Sequence, residues 1–324
     1  MRQINKQNLN NFLFAALVLV LVLIGKTDPT EPTHSYRQTL EQTSVKAASE
    51  QTSAYLVAPE TRTAAVNAQF SPETSILGPY TSMPELSLQA AYIKDLTTGR
   101  ELFNTSDHNR WPIASLTKLM TAVIAREHFQ PETKILITEK AFQTEGAAGN
   151  LNAGELYTVS DLIQAMLMVS SNDAAAALAE FYGTTKFIEV MQKKAATLNM
   201  FQTTFFDETG LSFINQSSVQ DLEKLLTHIR AQHPDLLEIS RTRAITLKEL
   251  STGRKNVLTN INYFATWPDF RGGKTGFIDS SGGNLLSTFE HKNHIILIIV
   301  LGAEDRFEQT ERLYNWIKTA FIFN

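Results

Sequence analysis

Residues 111–122 read WPIASLTKLMTA. Pro112 suits the first position of a helix, where its missing N–H is an orphan donor in any case. Leu116, Met120, Val123 and Ile124 follow at helical spacing and predict one face buried in a core. Ser115 and Lys118 are three residues apart, so they share a face of that helix, one turn from each other. A neutral amine at that spacing can take the hydroxyl proton and leave a nucleophile. The same pair arises by chance in a chain of 324 residues. Its meaning therefore rests on what surrounds it.

Composition narrows the setting. The hydrophobic fraction is 43% and the net charge is −4. That balance argues against nucleic acid as a partner, since phosphate binding needs a basic patch. There is no cysteine, which removes disulfides, thiolate catalysis and cysteine-ligated zinc. Near the N-terminus, Arg2 and Lys6 precede an uncharged run, residues 12–24, FLFAALVLVLVLI. No small-x-small cleavage pattern follows it. Residues 1–26 are therefore expected to form an uncleaved signal anchor, with a cleaved signal peptide as the alternative. The preceding positive charges place the body of the chain outside a cell membrane crossed once. Residues 27–85 are rich in Thr, Ser, Gln, Glu, Ala and Pro without a lasting apolar period, and read as a flexible spacer.

Order is predicted from residue 86. Residues 86–95 and 101–104 read as a hairpin turning at Gly99. The opening helix follows, then a short extended run at 134–138. Helices are expected over 158–169, capped by Thr158 or Ser160, and over 172–182, 185–200 and 218–232. Residues 270–277, 283–289 and 294–301 read as strands, and a helix over 305–323 closes the chain. Its Leu313, Trp316, Ile317, Ala320 and Phe321 form an apolar stripe. Two strands at the start and three at the end, with helices between, predict an α+β domain over residues 86–324. Sequential hairpins imply an antiparallel five-stranded sheet, flanked by the terminal helix on one face and a helical subdomain on the other.

Two further stretches bear on chemistry. Ser170–Ser171–Asn172 falls between two helical runs, where a hydroxyl and a carboxamide project from a turn; an N-cap is the plainer reading. In FRGGKTGF, residues 270–277, Lys274 sits in a strand flanked by glycines. Glycine weakens strands and admits close approach to the backbone, so Lys274 and Thr275 could meet a carboxylate; an exposed edge strand is the plainer reading. His291 and His294 sit in HKNH between two strands, and a solvated hairpin turn is expected. No metal-ligand spacing is visible, and the other histidines are scattered.

SxxK on a helix, SxN at a helix junction and KTG on a strand, in that order, are the signature set of active-serine penicillin-binding proteins and class A β-lactamases. The chain resembles the low-molecular-weight penicillin-binding proteins of the D-alanyl-D-alanine carboxypeptidase type, serine peptidase family S11. ASLTKLMTA at 114–122, GELYTVSDLIQAMLMVSSNDAAAA at 154–177, MQKKAATLNMFQTTFFDETGL at 191–211 and VLGAEDRF at 300–307 carry the resemblance.

It implies a β-lactamase/transpeptidase-like fold. Ser115 would be the acylated nucleophile and Lys118 its base. Ser170 would relay the proton to the leaving amine, and Asn172 would hold the substrate peptide. Lys274, Thr275 and Gly276 would engage the terminal carboxylate with help from Arg306, and the N–H groups of Ser115 and Phe277 would form an oxyanion hole. No cofactor or metal is implied. The substrate would be a peptidoglycan peptide, with β-lactams as covalent inhibitors, at the outer face of a bacterial membrane. The expected reaction is D-Ala-D-Ala carboxypeptidation. Endopeptidase cleavage of cross-links is the alternative, and a β-lactamase or an idle scaffold ranks lower. The sequence departs from the family pattern at Ser171, where Gly is usual, at Gly272–Gly273 and at Ser280–Ser281. An arginine that often precedes the KTG strand could correspond to Arg254 or Lys255. Relatives often carry a further C-terminal domain and anchor; none follows Asn324, so the N-terminal run is expected to be the anchor.

Overall fold

The computed structural model describes residues 82–105, 109–146 and 148–323. The expected anchor and all but the last residues of the expected spacer lie outside them. No helix among the described residues is long and apolar enough to cross a membrane.

In chain order the first strands are β1 (Ala90–Asp95), β2 (Arg100–Asn104) and β3 (Trp111–Pro112). A 3₁₀ turn over Ala114–Leu116 leads into α1 (Thr117–His128). Then come β4 (Lys134–Leu136), α2 (Glu139–Phe142), β5 (Leu156–Thr158), α3 (Val159–Met168), α4 (Asn172–Tyr182) and α5 (Thr184–Thr197). They are followed by β6 (Gln216–Ser217), α6 (Val219–Gln232), α7 (Pro234–Arg241), β7 (Ala244–Lys248) and β8 (Lys255–Thr259). The chain closes with β9 (Phe270–Ile278), β10 (Gly282–His291), β11 (His294–Ala303) and α8 (Arg306–Ala320).

β11, HIILIIVLGA, organises the core. Its β-branched run suits a strand buried on both faces. Ile296, Ile298 and Val300 point to one apolar cluster with Leu313, Tyr314, Trp316 and Ile317 of α8. Leu297, Ile299 and Leu301 point to the other, with α1, α3, α4 and α6. The period of two thus divides one strand between two layers. The main sheet runs β2-β1-β11-β10-β9, every neighbour antiparallel. This is the expected five-stranded arrangement, with the first strand hydrogen-bonded to the last. Against it, Phe289 stacks on Tyr314 with ring centroids 4.3 Å apart.

The helix starts follow local chemistry. Thr158 and Asp161 form a reciprocal capping box at α3. Ser171, Ser218 and Asp305 cap α4, α6 and α8 with side-chain oxygens.

Several expectations are corrected. Pro112 does not open the helix; Trp111–Pro112 pairs with Gln216–Ser217 as a short strand, and α1 begins at Thr117. The intervening Ala114 has φ 47°, which no uninterrupted helix accommodates. Gly272–Gly273, a departure from the family pattern, is a packing requirement. A Cβ at Gly272 would lie 2.8 Å from the Leu237 carbonyl of α7, and one at Gly273 2.2 Å from the Leu286 carbonyl of β10. The HKNH turn is present, with Lys292 and Asn293 at positive φ. His294 is not solvated, however: its Nδ1 lies 2.8 Å from the buried Asp95 carboxylate.

Candidate active site

Two chain segments hold the SxxK turn. The β3–β6 pairing fixes Trp111–Pro112 from one side, and Ile113 N donates to the Asn215 carbonyl (2.9 Å). Fully buried Asn215 also donates to Thr117 Oγ1 (3.1 Å) at the start of α1. From the sheet side, Asn284 of β10 donates to the Pro112 carbonyl (2.9 Å). The turn is thereby held in a strained conformation at Ala114. The second motif has the same feature, Ser170 at φ 60°. Left-handed conformations in non-glycine residues cost of order 1–3 kcal/mol and persist where surrounding contacts over-determine them. Here they aim two serines at one place.

Ser115, Ser170, Asn172, Thr275, Gly276, Phe277 and Arg306 line one cleft of about 280 Å³. Lys118 Nζ lies 3.2 Å from Ser115 Oγ and donates to Asn172 Oδ1 (2.6 Å) and to the Thr209 carbonyl (2.6 Å). Lys274 Nζ donates to Ser170 Oγ (2.8 Å) and to the Thr275 carbonyl (2.8 Å). The three motifs are therefore one hydrogen-bonded assembly. Asn172 Nδ2 is taken by the Glu145 carbonyl (2.7 Å), so in the free protein both ends of this amide are held by the chain itself.

Both amines are buried and their charge is costly. Burial pushes Lys118 from 10.5 down to about 7, against the pull of the Asp207 and Glu208 carboxylates. Burial is complete, and it dominates. Lys274 is lowered well below its usual value by burial first, then by Lys118 and Arg306. Arg306, at the cleft, is lowered by burial, and its Nε has no protein partner.

Two glycines set the spacing of the cleft walls. A Cβ on Gly276 would lie 3.0 Å from Ser115 N, so β9 runs directly beside the amide of the first motif. A Cβ on Gly210, at φ 85°, would lie 1.9 Å from the Ala114 carbonyl. Gly210 belongs to a turn built on Asp207, whose carboxylate accepts from Thr209 N (2.7 Å), Gly210 N (2.5 Å) and Ser212 N (2.8 Å). That turn aims the Thr209 carbonyl at Lys118. The signal was present as DETG at 207–210, an Asx turn followed by glycine, but sequence reasoning gave it no part in the site. Ala148, Leu211 and Ile261 also line the cleft without prior indication. Neither Arg254 nor Lys255 does. Arg254 pairs with Glu155 (2.6 Å), and Lys255 is exposed at the start of β8.

The family profile described as D-alanyl-D-alanine carboxypeptidase, peptidase S11, matches residues 79–305. The chain belongs to this family. The S11 assignment makes it a serine peptidase, with the active-serine motifs assembled in one cleft. Similar curated proteins include the D-alanyl-D-alanine endopeptidase of Escherichia coli K12, 31% identical over 74% of this chain and 80% of its own length. That of Pseudomonas aeruginosa is 32% identical over 74% and 79%. The D-alanyl-D-alanine carboxypeptidase DacF of Bacillus subtilis is 28% identical over 72% and 62%. Among solved structures, a Mycobacterium tuberculosis D-alanyl-D-alanine carboxypeptidase superposes with a TM-score of 0.69 at 22% identity, covering 76% of this chain and 98% of its own. The Streptomyces K15 DD-transpeptidase gives 0.67 at 21%, covering 74% and 98%. These superpositions show the penicillin-binding fold.

Proposed function

We propose that this S11 peptidase acylates Ser115 with the penultimate residue of a D-alanyl-D-alanine peptide from peptidoglycan and passes the acyl group to water. The observation that carries the reading is that two hydrogen-bonded groups, Ser115–Lys118–Asn172 and Lys274–Ser170, meet at one cleft, joined through the SSN segment that supplies both Ser170 and Asn172. Lys118, neutral in about half the molecules near pH 7, takes the Ser115 proton as Oγ attacks the carbonyl. The oxyanion forms against the amides of Ser115 and Phe277. Ser170 delivers a proton to the leaving amine and is resupplied through Lys274 Nζ, 2.8 Å away. The substrate's terminal carboxylate meets Thr275 and Arg306, which line the cleft, and Lys274, close enough to Arg306 to feel its charge. Its negative charge favours the charged form of Lys274, opposing the burial that lowers it. Asn172 exchanges one of its internal hydrogen bonds for the substrate's peptide. After Lys118 sheds its proton to solvent, it takes one from the attacking water and returns it to Ser115 Oγ as the ester C–O bond breaks, which frees Ser115. β-Lactams would acylate the same oxygen.

Carboxypeptidation is the expected reaction. Endopeptidase cleavage of cross-links is a second reading, favoured by the 31% and 32% identical relatives named D-alanyl-D-alanine endopeptidase. The chain bearing residues 1–26 as a membrane anchor and 27–85 as a spacer would hold the cleft at the outer face of a bacterial membrane. Incubation with a labelled penicillin followed by intact mass tests acylation; a wild-type adduct absent in Ser115→Ala supports it, and no adduct refutes it. Release of D-alanine from a pentapeptide, set against cleavage of a cross-linked dimer, then separates the two peptidases.

A further inference from the structure

Away from the cleft, three side chains with metal-ligating atoms converge where the end of α1 meets the end of α6. Glu127 comes from the last turn of α1, His228 from α6, and His233 is the residue that terminates α6. Each histidine places Nε2 3.3 Å from Glu127 Oε1. The three ligand atoms all lie within 4.8 Å of one another, the one such group among the described residues. Around a tetrahedral zinc ion, ligand atoms bound at about 2.0–2.1 Å stand roughly 3.3 Å apart. Two edges of that tetrahedron therefore already exist, and small side-chain rotations close the third. The side chains are 22%, 17% and 15% exposed, so an ion can enter and water can complete its coordination.

We propose that Glu127, His228 and His233 form a binding site for a divalent transition-metal ion of the zinc class. Two imidazoles and one carboxylate are the donor set that zinc, cobalt, nickel and copper share, whereas magnesium and calcium take oxygen donors. Asp235 lies close in sequence to His233, but its carboxylate is engaged by Arg126 and stays outside the set. Lys194 of α5 contacts both oxygens of Glu127, Oε2 at 2.6 Å and Oε1 at 2.8 Å. It is a built-in competitor: its ammonium holds the carboxylate in place and opposes a second positive charge there.

The site is structural and lies remote from the reaction. Glu127 is nine residues beyond Lys118 on α1, about 14 Å along the axis at 1.5 Å per residue. A bound ion would tie the end of the helix that begins under Ser115 to α6. It stabilises the folded chain by binding it and not the unfolded one.

The test uses the untagged full chain, stripped with chelator, and zinc chloride as probe. Calorimetry is expected to show one zinc per chain, and the melting temperature to rise by about 5–10 °C at zinc a hundredfold above its dissociation constant. Cobalt chloride should give the visible absorption of a low-symmetry site. The double variant H228A/H233A, altered only at partly exposed positions, should keep its melting temperature without metal and lose the calorimetric site, the cobalt band and the zinc-dependent rise. Lys194→Ala should bind zinc several-fold tighter. Equal zinc affinity in the double variant, or no zinc-dependent rise for the wild type at millimolar zinc, overturns the proposal.

Discussion

The pH dependence of acylation tests the reading of Lys118 most directly. An amine at its reference pKa near 10.4 is neutral in roughly one molecule in 2,500 at pH 7. Burial brings Lys118 to about 7, where about half the molecules hold the free base, a gain of roughly a thousandfold in competent enzyme. The second-order rate of acylation by a fluorescent penicillin, measured by stopped flow well below saturation, reports the free enzyme. It is expected to rise about tenfold per unit up to pH 7 and level off by about pH 8. A profile that is flat, or still climbing tenfold per unit at pH 9, would refute the assignment of Lys118 as the base. Stability carries the same signature. The folded value lies below the unfolded one, so between about 7 and 10.5 the unfolded chain holds a proton that the folded chain lacks. Folding is therefore favoured as pH rises through that window, by up to about 1.4 kcal/mol per unit. Lys118→Met removes this dependence, so denaturant melts of the two proteins should diverge in favour of the wild type between pH 7 and 9.

Ser170→Ala leaves Lys274 with one partner and is expected to slow acylation about 10²- to 10⁴-fold with little change in melting temperature; an unchanged rate would remove Ser170 from the proton path. Gly210→Ala drives a Cβ into the Ala114 carbonyl and is expected to cost about 3 kcal/mol or more by denaturant unfolding, with loss of penicillin labelling. Tyr314→Phe deletes a hydroxyl that donates to Asp269 at 2.5 Å beneath the sheet, and should lower stability by about 1–3 kcal/mol while labelling at 25 °C is unaffected.

Elements with a strong period were legible in the sequence. NDAAAALAEFY fills α4 over the expected residues 172–182, and HIILIIVL announced β11. Segments whose role is set by distant partners were not. The β7–β8 hairpin exposes much of both strands, so Ala244–Lys248 and Lys255–Thr259 carry too few apolar residues for a clear alternation. Pro234, at the start of α7, is the local signal for that helix. At the site, the residue types and their order were readable, and the contacts between them were not. Nothing local marks Ala114 and Ser170 as left-handed; at Ala114 the turn is held by Asn215, Asn284 and the sheet. The turn on Asp207 belongs to the site only because Thr209 reaches Lys118, 91 residues away in sequence. Glu127 and His228 are 101 residues apart, which hides their convergence from any spacing rule.

The pairing of the first strand of the sheet with the last has a temporal consequence. Ala90 lies opposite Leu301, and Tyr92 opposite Ile299. Synthesis therefore delivers β1 and β2 long before the strand that sits between them and the rest of the sheet, which begins only at His294. Contacts of such long range form late and slowly. Until β11 emerges, β1 has no central partner, both apolar clusters lack the strand that divides them, and the β9–β10 hairpin has no sheet to join. A chain stopped short of Ala303 is expected to remain open and inactive. Closure of the surroundings of Ser115 is thus timed by the arrival of β11.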